Sequence, residues 1–203
     1  MPGLAMLLFL VVVLVEGVGS VDLMSYSCMN TTSTFDNVTL HIHNEFRAYH
    51  DNTSDLCINQ ELKDSAETYA NTLAELDSQA TDISYFQHDP TNMLEGENLC
   101  RVNKKMLLHQ GAAHCVEKCT NAWYSDEEPL FNYMFKEEQF NPTETVGHFT
   151  ALVWRETTAV GCAVAQGAHG AYVVCRYYPP GNVLYEYETN IGNKISDEAD
   201  DDK

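Results

Sequence analysis

His148 heads an apolar run, Phe149-Thr150-Ala151-Leu152-Val153-Trp154, and Cys162 follows it, so a histidine, one of only two tryptophans and a cysteine fall within sixteen positions. An imidazole beside a buried segment can ligate a metal or, with a carboxylate, take a proton from water. The chain carries no nucleophile elbow, no HExxH helix and no Cys-His protease signature. Its seven cysteines, Cys28, Cys57, Cys100, Cys115, Cys119, Cys162 and Cys175, lack zinc-finger spacing. Cys115 and Cys119 are four apart, which on a helix puts both on one face rather than around an ion. In an oxidising compartment the cysteines pair as disulfides, and the odd count leaves one over.

The elements that must position these groups follow from pattern. Val38, Leu40, Ile42, Phe46 and Tyr49 predict a helix to about His50, capped by Ser33 or Thr34. Leu62, Ala66, Tyr69, Ala70, Leu73 and Leu76 step by threes and fours from a cap at Asn59, predicting a second helix. Ile83 to His88 reads as a short strand and Gly96 to Cys100 as a less regular segment. A third helix is expected from about Ala112 through Trp123, stopped by Pro129. The triplet Asp126-Glu127-Glu128 opposes its dipole, a local conflict of the kind found at functional sites. Val160 to Gln166 and Ala171 to Tyr178 read as a hairpin, and a four-residue loop, Gly167 to Gly170, sets Gln166 opposite Ala171. The same register sets Cys162 opposite Cys175, close enough to bridge, the first disulfide expected. Pattern alone leaves the run after His148 open between helix and strand, apolar density favouring a strand. The order of elements is an α+β fold, helices over a small antiparallel sheet.

The 203 residues suit one domain plus tails. With 30 acidic against 11 basic residues, the net charge of −19 disfavours nucleic acid and anionic bilayers as partners. Leu4 to Val15 is apolar and small residues follow, which reads as a signal peptide over 1–20, although its n-region has no Lys or Arg. The run is too short for a stable membrane anchor, and Glu16 interrupts it. Sequons at Asn30, Asn37 and Asn52 agree with a secreted, extracellular glycoprotein. An N-terminal arm over 21–33, which Cys28 would pin to the body, a domain over 34–190 and an acidic disordered tail over 191–203 complete the expected organisation.

Gly147 to Trp154 resembles the first signature of the CAP superfamily, the cysteine-rich secretory, venom allergen-like and pathogenesis-related proteins that share the SCP domain. Tyr172-Val173-Val174-Cys175-Arg176-Tyr177-Tyr178-Pro179-Pro180-Gly181-Asn182-Val183 resembles the second. His43-Asn44-Glu45-Phe46-Arg47 and Gly96-Glu97-Asn98-Leu99 are similar to two shorter motifs. The resemblance spans roughly Thr34 to Asn190 and implies a three-layer α-β-α sandwich in which the run after His148 is helical. No cysteine follows Cys175, so the cysteine-rich extension of some branches is missing.

By that resemblance, a central cleft gathers His88, Glu97, an acid after Trp123-Tyr124-Ser125, and His148. The acid is Asp126 where the family usually has Glu, with Glu127 beside it as the substitute. Two imidazoles with carboxylate support make a reversible divalent-metal site, zinc above all, without a required cofactor. The other histidines, His41, His50, His109, His114 and His169, are expected to be ordinary hydrogen-bonded groups. Tyr133, Phe135 and Phe140 match the spacing of the caveolin-binding-like motif of sterol-binding relatives, implying a sterol or other small lipid ligand. Packing of the same rings into the core is the competing expectation. Fatty acid between the first and fourth helices, as in some relatives, is a further implied ligand. Cys57 aligns with a position not always bonded and is the expected free thiol. The implied function is non-enzymatic, with no catalytic residues. An extracellular protein receptor is the alternative partner and metal-dependent hydrolysis the remote third; a His with a Glu could serve as general base for water, and Ser125 near them could be read as a nucleophile.

Overall fold

The computed structural model describes residues 26–83, 85–134, 136 and 146–195. The expected signal peptide at 1–20, Phe135, Phe140 and most of the acidic tail, 196–203, lie outside the described residues.

Three helices and two strands make up the first part: α1 (Thr34–Ala48), β1 (Cys57–Ile58), α2 (Gln60–Gln79), β2 (Gly96–Asn103) and α3 (Lys104–Ser125). A 3-10 turn at Glu128–Leu130 follows, then α4 (Gly147–Leu152), β3 (Ala159–Gln166), β4 (Gly170–Tyr178) and a short α5 (Tyr187–Asn190). Both predicted caps form: the Ser33 side chain accepts from Asp36 N, and Asn59 Oδ1 accepts from Leu62 N at 2.9 Å. Each satisfies a backbone donor that the first helical turn leaves free.

The sheet has the order β1-β3-β4-β2, with β1 parallel to β3 and the other pairs antiparallel. The hairpin register is the one read from the sequence: Gln166 faces Ala171, Cys162 faces Cys175, and the two cysteines are bonded. One face of the sheet is covered by α2, through Ala66, Tyr69, Ala70 and Leu73 against Tyr172 and Val174. The other face meets α3 and the flank of α1, through Cys115, Val116, Cys119 and Trp123 against Val160, Val173 and Tyr177. This is the expected α-β-α sandwich. A third cluster, rich in aromatics and containing no strand residue, gathers Phe46, Tyr124, Phe131, Phe149, Trp154 and Tyr187 around α4.

Arg47 locks α1 to the end of α4. Its guanidinium is fully buried and donates to four backbone carbonyls, Ser54 O at 2.7 Å, Leu152 O and Trp154 O at 2.9 Å, and Thr157 O at 3.0 Å. Burial pulls its pKa down to about 10.

Several expectations are corrected. The segment 83–88 pairs with no strand among the described residues; Tyr85 and Phe86 instead pack on Tyr172. Aromatic enrichment there reports packing on the sheet, not membership of it. Gly96 to Asn103 is the regular edge strand β2, disguised in the sequence because the buried Asn98 and Leu99 break alternation. Helix α3 starts at Lys104 and breaks at Gly111 (φ 85°, ψ 171°), so a regular helical pattern becomes readable only from Ala112. Helix α4 is helical as the resemblance implied, but only six residues long. Cys57 is not free: it bonds Cys28, pinning the arm, whose Met29 also bridges to Ile58. Cys100 pairs with Cys119, and the free thiol is Cys115, one helical turn away and buried in the same core. At the C-terminal end, Ile191 and Gly192 are buried and Lys194 bridges to His50, so the packed body runs past residue 190.

Candidate functional site

His88 sits after the 83–86 segment and Glu97 on β2. His88 Nδ1 lies 2.5 Å from Glu97 Oε1, which also accepts from Asp89 N at 3.1 Å. The histidine side chain is 68% exposed and the glutamate 4% exposed, so a buried carboxylate holds a ring that reaches into solvent. Beneath them Arg176 of β4, 1% exposed, faces Glu97 Oε2 at 3.0 Å, Asp89 Oδ2 at 2.8 Å and Glu95 Oε2 at 3.8 Å, and lies over the Tyr69 ring. Neither Glu97 Oε2 nor Nε and Nη1 of Arg176 completes a hydrogen bond; the Glu97–Arg176 contact has the distance of an ion pair without the angle.

His148 is built the same way on α4. Its Nδ1 lies 2.5 Å from Glu127 Oε1, and its ring stacks on Trp123 with centroids 5.9 Å apart and planes at 10°. Glu127 Oε2 meanwhile accepts from the backbone N–H groups of His148 at 2.9 Å and Phe149 at 3.0 Å. One carboxylate therefore orients the imidazole and caps α4, whose flanking Val146 has no capping side chain. The position next to it, Asp126, is exposed and ends α3. Glu127, named as the substitute for Asp126 in the resemblance, is the acid that pairs with His148. The conflict between the acidic triplet and the α3 dipole is thus resolved in space: Glu127 serves the start of α4, and Glu128 accepts from Tyr133 Oη at 3.0 Å and Lys194 Nζ at 2.8 Å.

A buried hydrogen-bond chain ties these parts to the core. His43 Nδ1 lies 2.7 Å from the Thr39 carbonyl, which can only accept, so Nδ1 carries the proton and Nε2 accepts from Tyr177 Oη at 3.0 Å. Asn98, beside Glu97, donates to Tyr177 Oη at 3.3 Å and to the His148 carbonyl at 3.0 Å. Asn182 donates to the Gly147 carbonyl at 2.9 Å, and the Thr150 hydroxyl lies 2.6 Å from its Oδ1. Sequence reasoning quoted Asn98 and Asn182 only as letters of a motif and gave Arg176 no role. A buried Asn inside a strand was the signal, since an amide there must find partners.

The His88–Glu97 pair lines a cleft of about 280 Å³ whose other walls include Asn92, Glu95, Ala151 and Asn182. His148 is not one of its walls; it stands three residues before Ala151. The four implied residues thus form two imidazole–carboxylate pairs, and among the described residues no three of their ligating atoms lie within 4.8 Å of one another. The trio that does, His43 with Cys162 and Cys175, is spent, because the sulfurs are bonded to each other. Neither Nε2 of His88 nor that of His148 makes a hydrogen bond among the described residues. Ser125 is exposed and makes no hydrogen bond to either histidine.

Comparison with known proteins now adds identity to geometry. The model of the cysteine-rich secretory protein family, CAP, matches residues 40–177. The chain belongs to this family. A CAP relative, the human Golgi-associated plant pathogenesis-related protein 1 (Homo sapiens), is 31% identical over 165 residues, 80% of this chain and 95% of that protein. Protein PRY2 of Saccharomyces cerevisiae is 30% identical over 156 residues, 73% of this chain but 38% of its own length. Among solved CAP structures, BmVAL-1 superposes with a TM-score of 0.58 at 21% identity, covering 78% of this chain and 84% of that one. NaASP2 with Zn2+ gives 0.57 at 19% identity, covering 84% and 92%. At these identities the structures support the fold alone.

Of the CAP residues expected to meet lipid, only Tyr133 is described. It is half-buried, edge-on to Phe131, with its hydroxyl on Glu128, so this ring is turned toward the core rather than displayed. Next to it Leu130 and Met134 are 59% and 80% exposed, and Lys136 is buried with Nζ on the Ile191 carbonyl at 2.9 Å. Asn30, Asn37 and Asn52 are all exposed, Asn37 on the outer face of α1. No helix among the described residues is long and apolar enough to cross a membrane.

Proposed function

We propose that this chain is a secreted, non-enzymatic CAP protein that acts outside the cell by binding a small hydrophobic lipid, sterol before fatty acid. The observation that carries this reading is the pair Leu130 and Met134. These large apolar side chains are exposed on either side of Tyr133, whose hydroxyl lies on Glu128, and Lys136 reaches the Ile191 carbonyl; Phe135 and Phe140 of the same motif lie outside the described residues. Neighbouring exposed apolar side chains next to this aromatic motif are what a lipid-binding surface would present. The test is binding of labelled cholesterol to the purified protein in competition with unlabelled sterol. Phe135→Ala and Phe140→Ala should each weaken it by roughly tenfold or more, the worth of one buried aromatic side chain. Saturable binding indifferent to both changes would remove the segment from the argument.

A second reading rests on the twin imidazole–carboxylate pairs. A histidine whose Nδ1 is held by a carboxylate offers Nε2 as a ligand in the neutral tautomer, the arrangement around protein-bound zinc. By chemistry each pair suits a divalent cation, His88 supported by Glu97 and His148 by Glu127, although no three of their ligating atoms lie within 4.8 Å of one another in this structure; NaASP2, a protein of the same fold, has been solved with Zn2+. Calorimetric titration with zinc should show an affinity that His148→Ala removes, with cholesterol binding unchanged. Hydrolysis has less support, because no hydroxyl or thiol is hydrogen-bonded to either imidazole among the described residues.

A further inference from the structure

Basic side chains are scarce in this acidic chain, and most of those described are neutralised or enclosed where they stand. Lys63 faces Asp36, Arg155 faces Asp51, Lys194 faces Glu128, and Arg176 faces Asp89, Glu95 and Glu97. Lys136 is buried near Glu188, and Arg47 is buried on backbone carbonyls. The exceptions are Arg101, Lys104, Lys105 and Lys118, none of which pairs with a carboxylate among the described residues. All four fall on β2 and α3, in a stretch where Glu117 is the only acid between Asn98 and Ser125.

The fold gathers the first of these cations around one turn. Strand pairing sets Arg101 opposite Tyr172 and Asn103 opposite Gly170, so Arg101 and Lys104 both reach the β3–β4 turn. Lys104 Nζ donates to the Ala168 carbonyl at 2.6 Å, which holds its charge in a fixed place. Arg101 donates through Nε to Tyr172 Oη at 3.2 Å and lies across Gly170, where a Cβ would come within 2.6 Å of Nε. Its Nη1 and Nη2, and the Lys105 ammonium, make no hydrogen bond among the described residues. His169 is exposed on the same turn and shares with Arg101 the lining of a cleft of about 310 Å³. Lys105 and, one helical turn on, His109 continue the surface along α3, and both are exposed. The cleft also holds acids. Asp77 is 1% exposed and spends its oxygens on Tyr85, His169 N and Gly170 N, but Asp82 is exposed. An anion is therefore met outside the cleft, on the side of Arg101 where Lys104 and Lys105 stand.

A local row of unpaired cations on a chain of net charge −19 selects the shape of its partner as well as the sign. A flat anionic bilayer would bring every acid on this side of the molecule up to a like-charged plane. An extended polyanion touches the row alone, and acids more than about 8 Å from it are screened at physiological salt. Single-stranded nucleic acid is also extended, but its bases stack on displayed aromatic rings. Here Tyr172 is buried and Tyr85 is half-buried, edge-on to it. We propose that Arg101, Lys104, Lys105, His109 and His169 form a docking surface for a sulfated polysaccharide chain, whose sulfate groups meet the three charges and the two imidazoles in succession. Only the extracellular setting is taken from the function proposed above, and lipid binding can fail without affecting this surface.

The probe is a fluorescent heparin decasaccharide titrated against the full chain by anisotropy, with its desulfated counterpart, phosphatidylserine vesicles and a single-stranded oligonucleotide as competitors. The sulfated probe should bind at least about tenfold more tightly than the desulfated one, the worth of one charge-assisted hydrogen bond. Its affinity should fall about tenfold or more between roughly 50 and 200 mM salt, because each contact releases counterions. Lys105→Glu should weaken binding about tenfold. Lys118→Glu makes the same change of net charge beyond the Gly111 break and should weaken it by under about threefold, since salt screens a distant charge. Cholesterol binding of both variants should stay at the wild-type level, which separates this surface from the lipid segment. Equal losses in the two variants would show that net charge, and not this surface, attracts the glycan, and would overturn the proposal. Indifference to sulfation, stronger competition by vesicles or oligonucleotide, or no binding at about 150 mM salt would overturn it too. Lys105 and Lys118 are exposed, so both variants should keep the wild-type melting temperature; if Lys105→Glu does not, Lys105→Gln and the desulfated probe decide.

Discussion

Glu127 does two jobs with one side chain, and their energies can be separated. Its Oε2 supplies two backbone donors of α4 with the acceptor that Val146 cannot provide, and Oε1 fixes the His148 ring. The carboxylate is 14% exposed, so little water replaces it when it is removed. Glu127→Ala should lower unfolding free energy by about 2 kcal/mol, the cost of leaving buried donors unmade beside a lost charge-assisted bond. Asp126→Ala, one residue away but exposed, should cost under about 0.5 kcal/mol. Urea denaturation of the two variants checks the ordering; equal losses would mean that the Glu127 contacts carry no more stability than an exposed acid. This residue also marks the limit of what was legible. His88, Glu97 and His148 were readable because each occupies a fixed place within a motif. The fourth acid was not, because Asp126, Glu127 and Glu128 stand in succession and only the path of the chain after α3 decides which one reaches the start of α4.

Among elements, the legible ones carry their own local signal. Helix α2 has a cap and an uninterrupted apolar stripe, and the β3–β4 hairpin has a loop whose length sets its register. Strand β2 was hidden because its inward face spends a position on Asn98, whose value lies in bonds to Tyr177 and His148 that are distant in sequence. The apparent strand at 83–88 arose from the reverse error, aromatics that cover a sheet while pairing with nothing in it. Neither could be settled locally, since pairing and covering leave the same composition. Contact between layers was equally silent, yet it decides Gly161. A Cβ at this β3 position would run into Lys63 N and Leu62 C, the backbone of α2's first turn, which cannot swing aside as a side chain would. Gly161→Ala should therefore push α2 off the sheet and cost about 3 kcal/mol or more, the upper range for overpacking. Thermal melts followed by circular dichroism would test it: an unchanged midpoint would mean that the layers have room to separate.

For the molecule as a whole, two opposing electrostatic effects meet on acidification, and their pH ranges decide the outcome. A net charge of −19 destabilises the compact state by self-repulsion, so protonating carboxylates should help. Ordinary carboxylates titrate near 4, however, so this relief arrives only at the acid end of the range. Two buried histidines act earlier. His43 is wholly enclosed, and burial lowers its pKa to about 4; burial lowers that of His50 as well. Both rings donate Nδ1–H to a carbonyl and accept a tyrosine hydroxyl at Nε2, His43 from Tyr177 and His50 from Tyr124, so a second proton has to displace a made bond. A depressed folded-state value means that the unfolded chain binds the proton first. The stability these rings contribute is complete above about 6.5, falls as pH drops below it, and is lost for His43 by about 4. For His43 alone the drop is on the order of 3 kcal/mol. Asp77, which burial alone would raise, is held down to about 2 by bonds from His169 N, Tyr85 and Gly170 N, and works in the same direction below the normal carboxylate range. The local terms precede the global one, so the melting temperature should fall steadily from pH 7 to pH 4.5 despite the shrinking net charge. His43→Gln, which can keep one of the two bonds and cannot take up a proton, should start lower and flatten that slope. A melting temperature that rises on acidification over this interval would show that self-repulsion, and not the buried imidazoles, controls stability.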